Sequence, residues 1–341
     1  MALFMITLGI TLGTLTVTSA SHWLTAWLGL ELNMISILPV ITKQKHPRST
    51  EAATKYFLTQ ATASALMLFA STLNAWQTGS WDITQLNNKL SCILMISALA
   101  MKMGAAPTHF WLPEVMQGST LTTTLLITTW QKVAPITLLY MISNHIQSNI
   151  TLFIGLLSIM VGGWGGFNQT QLRKMMAYSS IAHLGWTMTV ISLMPNIALM
   201  NIIIYMTIST PFFLLLMTTS SKTLQILSTT WTYTPTTTII LMLLLLSMAG
   251  LPPLTGFTPK LLILDSLVTH KLTLTAATMA LLSLLSLTFY LRTTYLLTST
   301  ASPTTTQSTT LWRLKPHQNQ ITTTLIPIAL FNITILPALL M

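Results

Sequence analysis

The stretch Ala98–Pro113, ALAMKMGAAPTHFWLP, decides how this chain is read. Lys102 sits inside an apolar run. Five residues later Pro107 makes a helix hard to continue, because proline has no N–H to donate and its ring collides with the preceding turn. A second copy of the pattern lies at Leu246–Lys260, LSMAGLPPLTGFTPK. At a constant offset of 146 residues, Gly104 falls on Gly250, Pro107 on Pro253, Trp111 on Phe257 and Pro113 on Pro259. A polar or charged group beside a proline-broken apolar segment, seen twice, is the pattern of a membrane protein that opens a helix around an ion.

Composition supports that reading. Of 341 residues, 52% are hydrophobic and only 6% are charged, against about 25% charged in soluble domains. So few charges cannot solvate a surface, and the apolar runs extend from end to end. The chain is expected to be an all-α polytopic membrane protein forming one membrane domain over residues 1–341. The net charge of +10 comes from basic residues spread through short loops, where they report topology and not nucleic-acid binding. The apolar start, Met1–Ala20, has no basic n-region and is read as the first span, not a signal peptide. Cys92, the single cysteine, excludes an internal disulfide and a cysteine-based metal cluster. The abundant threonines are tolerable inside membrane helices, where the hydroxyl bonds back to an upstream carbonyl.

Segmenting at charges, prolines and Asn/Gln/Gly clusters gives about eleven spans: 3–20, 24–42, 53–73, 90–106, 121–142, 150–167, 175–193, 196–218, 237–251 continuing brokenly through 253–268, 273–297 and 321–340. Trp23, Trp76, Trp81 and Trp312 fall near proposed ends, as interfacial anchors should. Lys43, Lys45, Arg48, Arg173, Lys174, Lys222, Arg292, Arg313 and Lys315 then all emerge on one side, and the other side collects little more than Lys89 and Lys271. This bias puts the N-terminus inside and the C-terminus outside. The two broken segments, in spans four and nine, are five spans apart and so run in opposite directions. That implies inverted five-helix repeats, about 1–145 and 146–297, with an extra C-terminal helix at 321–340.

A few charges remain within spans. Glu31 lies mid-span, Lys102 near the break of span four, and Lys132 mid-span three residues before Pro135. Glu114 and Lys260 follow the two breaks. An ionised side chain in hydrocarbon costs several kcal/mol, so such groups pair, line water or mark an ion path. A buried lysine holds or releases a proton depending on whether a carboxylate is near, and a chain of such sites with water between them conducts protons. Glu31 is assigned as the partner that modulates Lys102, Lys102 and Lys132 as central proton sites, and Lys260 as the site in the second half. His183, beside Tyr178, Ser179 and Ser180, is placed to relay between Lys132 and Lys260. His109 in the first break and Glu114 are weaker candidates. The bland alternative for each is a snorkelling or structurally paired side chain. The glycines of GGWGGF, 162–167, read as close helix packing or flexibility. No GxGxxG, P-loop, HExxH or CxxC pattern marks a nucleotide, flavin, zinc or iron–sulfur site.

The runs ELNMISILP (31–39), EAATKYFLTQA (51–61), KMGAAPTHFWLPEV (102–115), WQKVAP (130–135), YSSIAHLGW (178–186) and SMAGLPPLTGFTPK (247–260) resemble the chain 2 family of antiporter-like membrane-arm subunits of mitochondrial NADH–ubiquinone oxidoreductase, the respiratory complex I. The resemblance covers essentially the whole chain. It implies a proton-translocating core subunit of that enzyme, multi-pass in the mitochondrial inner membrane, with its N-terminus in the matrix and its C-terminus in the intermembrane space. The animal form is similar to a bacterial subunit shortened by three N-terminal helices, which leaves eleven. The resemblance also implies that Glu31 pairs with Lys102, that Lys132 is the central site and that Lys260 is the distal one. NADH, FMN, iron–sulfur clusters and ubiquinone are then expected in other subunits, with no cofactor or metal in this chain. The implied partners are other membrane-arm subunits, including neighbouring antiporter-like ones, and the lipid bilayer with its cardiolipin; no nucleic acid is expected. The competing readings are a stand-alone cation/proton antiporter and a non-pumping structural membrane subunit.

Overall fold

The computed structural model describes residues 2–232, 234–301 and 320–331. Trp312, Arg313, Lys315 and the end of the expected last span lie outside them. Among the described residues the chain is helical without a named strand; two isolated bridges, His22 with Asp82 and Gln171 with Thr223, tie loops to helix starts. The first five expected spans appear as α1 (Ala2–Thr18), α2 (Trp23–Ile41), α3 (Pro47–Thr78), α4 (Lys89–Met103) with α5 (Trp111–Gly118), and α6 (Leu121–Thr128) with α7 (Trp130–Met141). The next are α8 (Ser148–Gly166), α9 (Leu172–Val190), α10 (Pro195–Thr219), a short α11 (Leu224–Thr229), α12 (Pro235–Ala249) with α13 (Phe257–Thr269), and α14 (Thr273–Ser299). The final described helix, α15 (Gln320–Phe331), packs against α10 and α12. Among the described residues four single helices, α2, α8, α10 and α14, are long and apolar enough to cross a membrane unaided.

Both proline-marked segments are interrupted helices. At the end of α4 Gly104 takes φ +80°, and at the end of α12 Gly250 takes φ +79°. In each, the next N–H reaches back to the carbonyl five residues earlier: Ala105 to Ala100 at 2.9 Å, and Leu251 to Leu246 at 3.3 Å. This is a Schellman ending, which needs a residue free of Cβ in the left-handed region. The peptide bonds before Pro107 and Pro253 are both cis. After the first break the chain resumes in α5, beyond the expected edge of span four, because Trp111 and the residues after it find helical geometry again.

A third interruption was not foreseen. Span five breaks at Thr129, where φ −109° and ψ −76° separate α6 from α7. Thr128 and Thr129 turn their hydroxyls onto the Thr124 and Leu125 carbonyls at 2.9 and 2.7 Å, a substitute bonding that competes with regular helix. Pro135 in α7 then denies the Gln131 carbonyl its usual partner.

Small residues set the close approaches. A Cβ on Gly162 of α8 would meet the Ala182 backbone nitrogen of α9 at 2.6 Å, and one on Gly155 would meet the Gly185 carbonyl at 2.9 Å. Such contact between backbones is how helices associate where lipid removes the hydrophobic drive. The glycine-rich end of α8 is therefore a packing surface at Gly162.

Candidate functional site

The interrupted helices leave carbonyls that hydrocarbon cannot satisfy, so the protein must. At the end of α4 the indole N–H of Trp111 donates to the Met101 carbonyl at 3.2 Å, and the Gln60 amide donates to the Lys102 carbonyl at 3.2 Å. At the end of α12 the donor is charged: Lys260 Nζ donates to the Ala249 carbonyl at 2.6 Å and stands 5.8 Å from the Trp186 ring. A cation at the negative end of a helix is favoured by the aligned peptide dipoles. The two breaks thus share a backbone while differing in what fills them.

Lys132 lies one helix turn past the Thr129 interruption and is 3% exposed. Its Nζ is buried without a hydrogen-bond partner, 5.2 Å from the centre of the Tyr205 ring. A cavity of about 10 Å³ adjoins it, lined also by Ser180, His183, Asn201 and Tyr205. That is the scale of a single water. His183 packs its ring 4.8 Å from Tyr205, and its Nδ1 is buried without a partner. The charges of both Lys260 and Lys132 act on His183, whose ring also faces the Met248 carbonyl at the end of α12. The structure therefore brings three of the sequence-derived candidates, Lys132, His183 and Lys260, around one region between α7, α9 and α12.

Glu31 and Lys102 form the neighbouring group. Glu31 is half-buried on α2, and its charge is felt at Lys102 and at Tyr56. The ion pairs among the described residues, however, are Lys55 with Glu51 and Lys55 with Glu114, both 2.5 Å. Glu31 and Lys102 thus interact across a gap wider than an ion-pair contact. Beside them Gln131 donates to Asn33 at 2.8 Å and accepts from Tyr56 at 3.4 Å. This amide–phenol cluster links α2 and α3 to the residue adjoining Lys132.

The two weaker candidates lie elsewhere. Glu114 is half-exposed and bonded to Lys55, so it belongs to an ionic cluster at the end of the bundle with Glu51, Arg48 and Lys174 around it. His109 is buried in the break itself, with Nδ1 3.1 Å from the Pro107 carbonyl and its ring against Phe110. A carbonyl only accepts, so this contact fixes the proton on Nδ1.

Tyr205, Asn201, Gln131, Asn33, Tyr56 and Gln60 escaped the sequence reading, which searched for formal charge. Their signal was faint: single polar residues within apolar runs, such as Tyr205 in NIIIYMTIST.

Comparisons with known proteins agree with this architecture. Residues 20–286 match the family model described as NADH:quinone oxidoreductase/Mrp antiporter, TM. A Latimeria chalumnae protein named NADH-ubiquinone oxidoreductase chain 2 is 52% identical over 328 residues, 96% of this chain and 93% of that protein. The Xenopus laevis protein of the same name is 50% identical over 312 residues, 92% and 90% of the two. Among solved structures, a chain of respiratory complex I from Thermus thermophilus with bound aureothin superposes with TM-score 0.85 at 24% identity, covering 99% of this chain and 80% of that one. A chain of the Mrp complex from Dietzia sp. DQ12-45-1b superposes with TM-score 0.77 at 17% identity, covering 84% and 59%. These two likenesses concern the fold.

Proposed function

The chain belongs to the NADH:quinone oxidoreductase/Mrp antiporter membrane family, among the NADH-ubiquinone oxidoreductase chain 2 proteins, and from that premise we propose that it moves protons through the membrane arm of that oxidoreductase. The observation that carries the reading is Lys132: a buried cation-forming group without a partner, at a water-sized cavity shared with His183 and Tyr205. A structural lysine would be paired or would reach the interface, because burying an unpaired ammonium costs several kcal/mol. A transfer site instead needs an amine whose proton is held loosely and a neighbour to take it.

The proton path in this reading runs Glu31, Lys102, Lys132, His183, Lys260. Glu31 modulates Lys102 through space, with the Asn33, Gln131 and Tyr56 cluster beside them. Lys132 exchanges its proton through the cavity with His183. His183 hands it to Lys260, which holds its charge against the Ala249 carbonyl. The halves 1–145 and 146–297 act as inverted repeats, each carrying one interrupted helix. The basic loops face the matrix of the mitochondrion, with the N-terminus on that side and the C-terminus in the intermembrane space. NADH, FMN, iron–sulfur clusters and ubiquinone would work in other subunits, and neighbouring membrane-arm subunits and cardiolipin would surround this one.

The test is Lys132→Ala in the assembled oxidoreductase, reconstituted in sealed liposomes. Proton uptake driven by NADH oxidation is expected to be lost while the complex still assembles. Pumping at the parental rate would refute the reading. Sodium-dependent proton exchange by the purified chain would favour a stand-alone antiporter, and failed assembly with normal residual pumping would favour a scaffold.

A further inference from the structure

Two lysines within the bundle meet aromatic rings where a carboxylate would be expected. The ion pairs among the described residues are both made by Lys55, at the end of the bundle. Lys132 Nζ, without a hydrogen-bond partner, stands 5.2 Å from the centre of the Tyr205 ring. Lys260 Nζ stands 5.8 Å from the centre of the Trp186 ring. Resting on the proton-transfer reading above, we propose that the rings of Tyr205 and Trp186 hold the charge of Lys132 and Lys260 in place of carboxylates.

Each ring comes from a helix other than its lysine's own. Tyr205 is on α10 and faces Lys132 of α7, while Trp186 is on α9 and faces Lys260 of α13. Both ring residues are buried. An ammonium within about 6 Å of a ring centre is attracted by the negative face of the π system, most strongly where water does not screen it. The rings also flank the histidine placed between the two lysines. His183 packs 4.8 Å from the Tyr205 ring, and Trp186 follows it by three residues on α9, which puts the two on one helix face.

A ring differs from a carboxylate in what it leaves free. A buried carboxylate would grip the ammonium strongly and could take the proton itself. The face of a ring attracts the charged amine and has no lone pair to accept its proton. Lys132 is thereby steadied beside the cavity it shares with His183. Lys260 has one acceptor, the Ala249 carbonyl at 2.6 Å, and a carbonyl carries no full charge to balance the ammonium. The Trp186 ring adds attraction there without closing a salt bridge.

The experiment compares Tyr205→Leu with Tyr205→Phe, and Trp186→Leu with Trp186→Phe, in the assembled oxidoreductase in sealed liposomes, reading NADH-driven proton uptake. Loss of either ring is expected to slow uptake roughly tenfold, the rate worth of a desolvated contact between a cation and a ring. Phenylalanine restores a ring without the phenol or indole and is expected to recover most of that loss. Parental uptake in the leucine variants would overturn the proposal, as would phenylalanine variants as slow as the leucine ones. Melting of the complex separates charge from packing. Tyr205→Leu is expected to lower the melting temperature less in a Lys132→Met background than in the parent, because the ammonium that the ring holds is then gone. An equal loss in both backgrounds would show a ring that only fills space, and would overturn the proposal. If Tyr205→Leu fails to assemble, the Trp186 variants, with Lys260→Met as background, decide by the same criteria. Lys132→Ala in the same series separates the two ideas. Parental pumping there overturns the underlying reading, whereas pumping lost there and kept in the leucine variants overturns the role of the rings alone.

Discussion

Replacing Gly250 by alanine tests what holds Lys260. Gly250 has φ +79°, and an added Cβ would lie 2.8 Å from Lys260 Cδ, 2.9 Å from its Nζ and 3.0 Å from its Cε. The substitution thus places an L-residue in the left-handed region, at a cost of about 1–2 kcal/mol. It also pushes the ammonium away from the Ala249 carbonyl, losing a charged hydrogen bond of about 1.5–3 kcal/mol. Gly79 supplies the control: φ is +70° and nothing lies within 4 Å of its added Cβ, so Gly79→Ala carries the backbone cost alone. The half-time of coupled proton uptake at a fixed elevated temperature is the assay. Gly250→Ala is expected to inactivate roughly tenfold to a hundredfold faster than Gly79→Ala, the extra 1.5–3 kcal/mol expressed as a rate. Equal inactivation of the two variants would refute the argument that the Lys260–Ala249 bond secures the second break.

Lys132→Met is expected to leave assembly intact or raise thermal stability by about 1–3 kcal/mol, since it removes an unpaired buried amine and keeps its volume; a melting curve lower than the parent's would count against the unpaired placement. Gly162→Val should weaken the α8–α9 contact by about 3 kcal/mol or more through overpacking against Ala182, seen as reduced yield of assembled complex. The Lys55 cluster sets a pH test. The hydrogen bond from Lys55 holds Glu51 below the usual carboxylate range. The acid's contribution is present above its unfolded pKa and lost as pH falls through the folded value. The difference in melting between the parent and Lys55→Gln should therefore be constant from about pH 5 to 8 and vanish as pH falls below about 4. It should also be small and reduced by salt, because the cluster is exposed.

The helices were legible because hydrocarbon demands runs of apolar residues long enough to bond their own backbone, and charges and prolines punctuate those runs. The helix breaks after Lys102 and before Lys260 were legible for the same local reason: glycine and proline declare themselves wherever they sit. The break at Thr129 was not, since threonine is common throughout this chain and only its hydroxyl's choice of carbonyl distinguishes this one. Glu31, Lys102, Lys132, His183 and Lys260 stood out because charge or imidazole is rare in an apolar span. Tyr205 did not, because a lone phenol in a span is ordinary until its ring is seen against Lys132.

Sequence by itself determined that this chain is a helical membrane protein with two matching helix breaks and a small set of buried titratable groups. Those properties follow from chain composition and from backbone rules that act within a few residues. Only tertiary structure decided which of those groups meet. Lys132, Tyr205 and His183 come from α7, α10 and α9, and their convergence depends on how each helix is rotated about its axis. That rotation is set by contacts such as Gly162 on Ala182, far along the chain from the lysine. The same dependence left Glu31 short of an ion-pair contact with Lys102, gave Glu114 to Lys55, and put Lys260 on the carbonyl of Ala249.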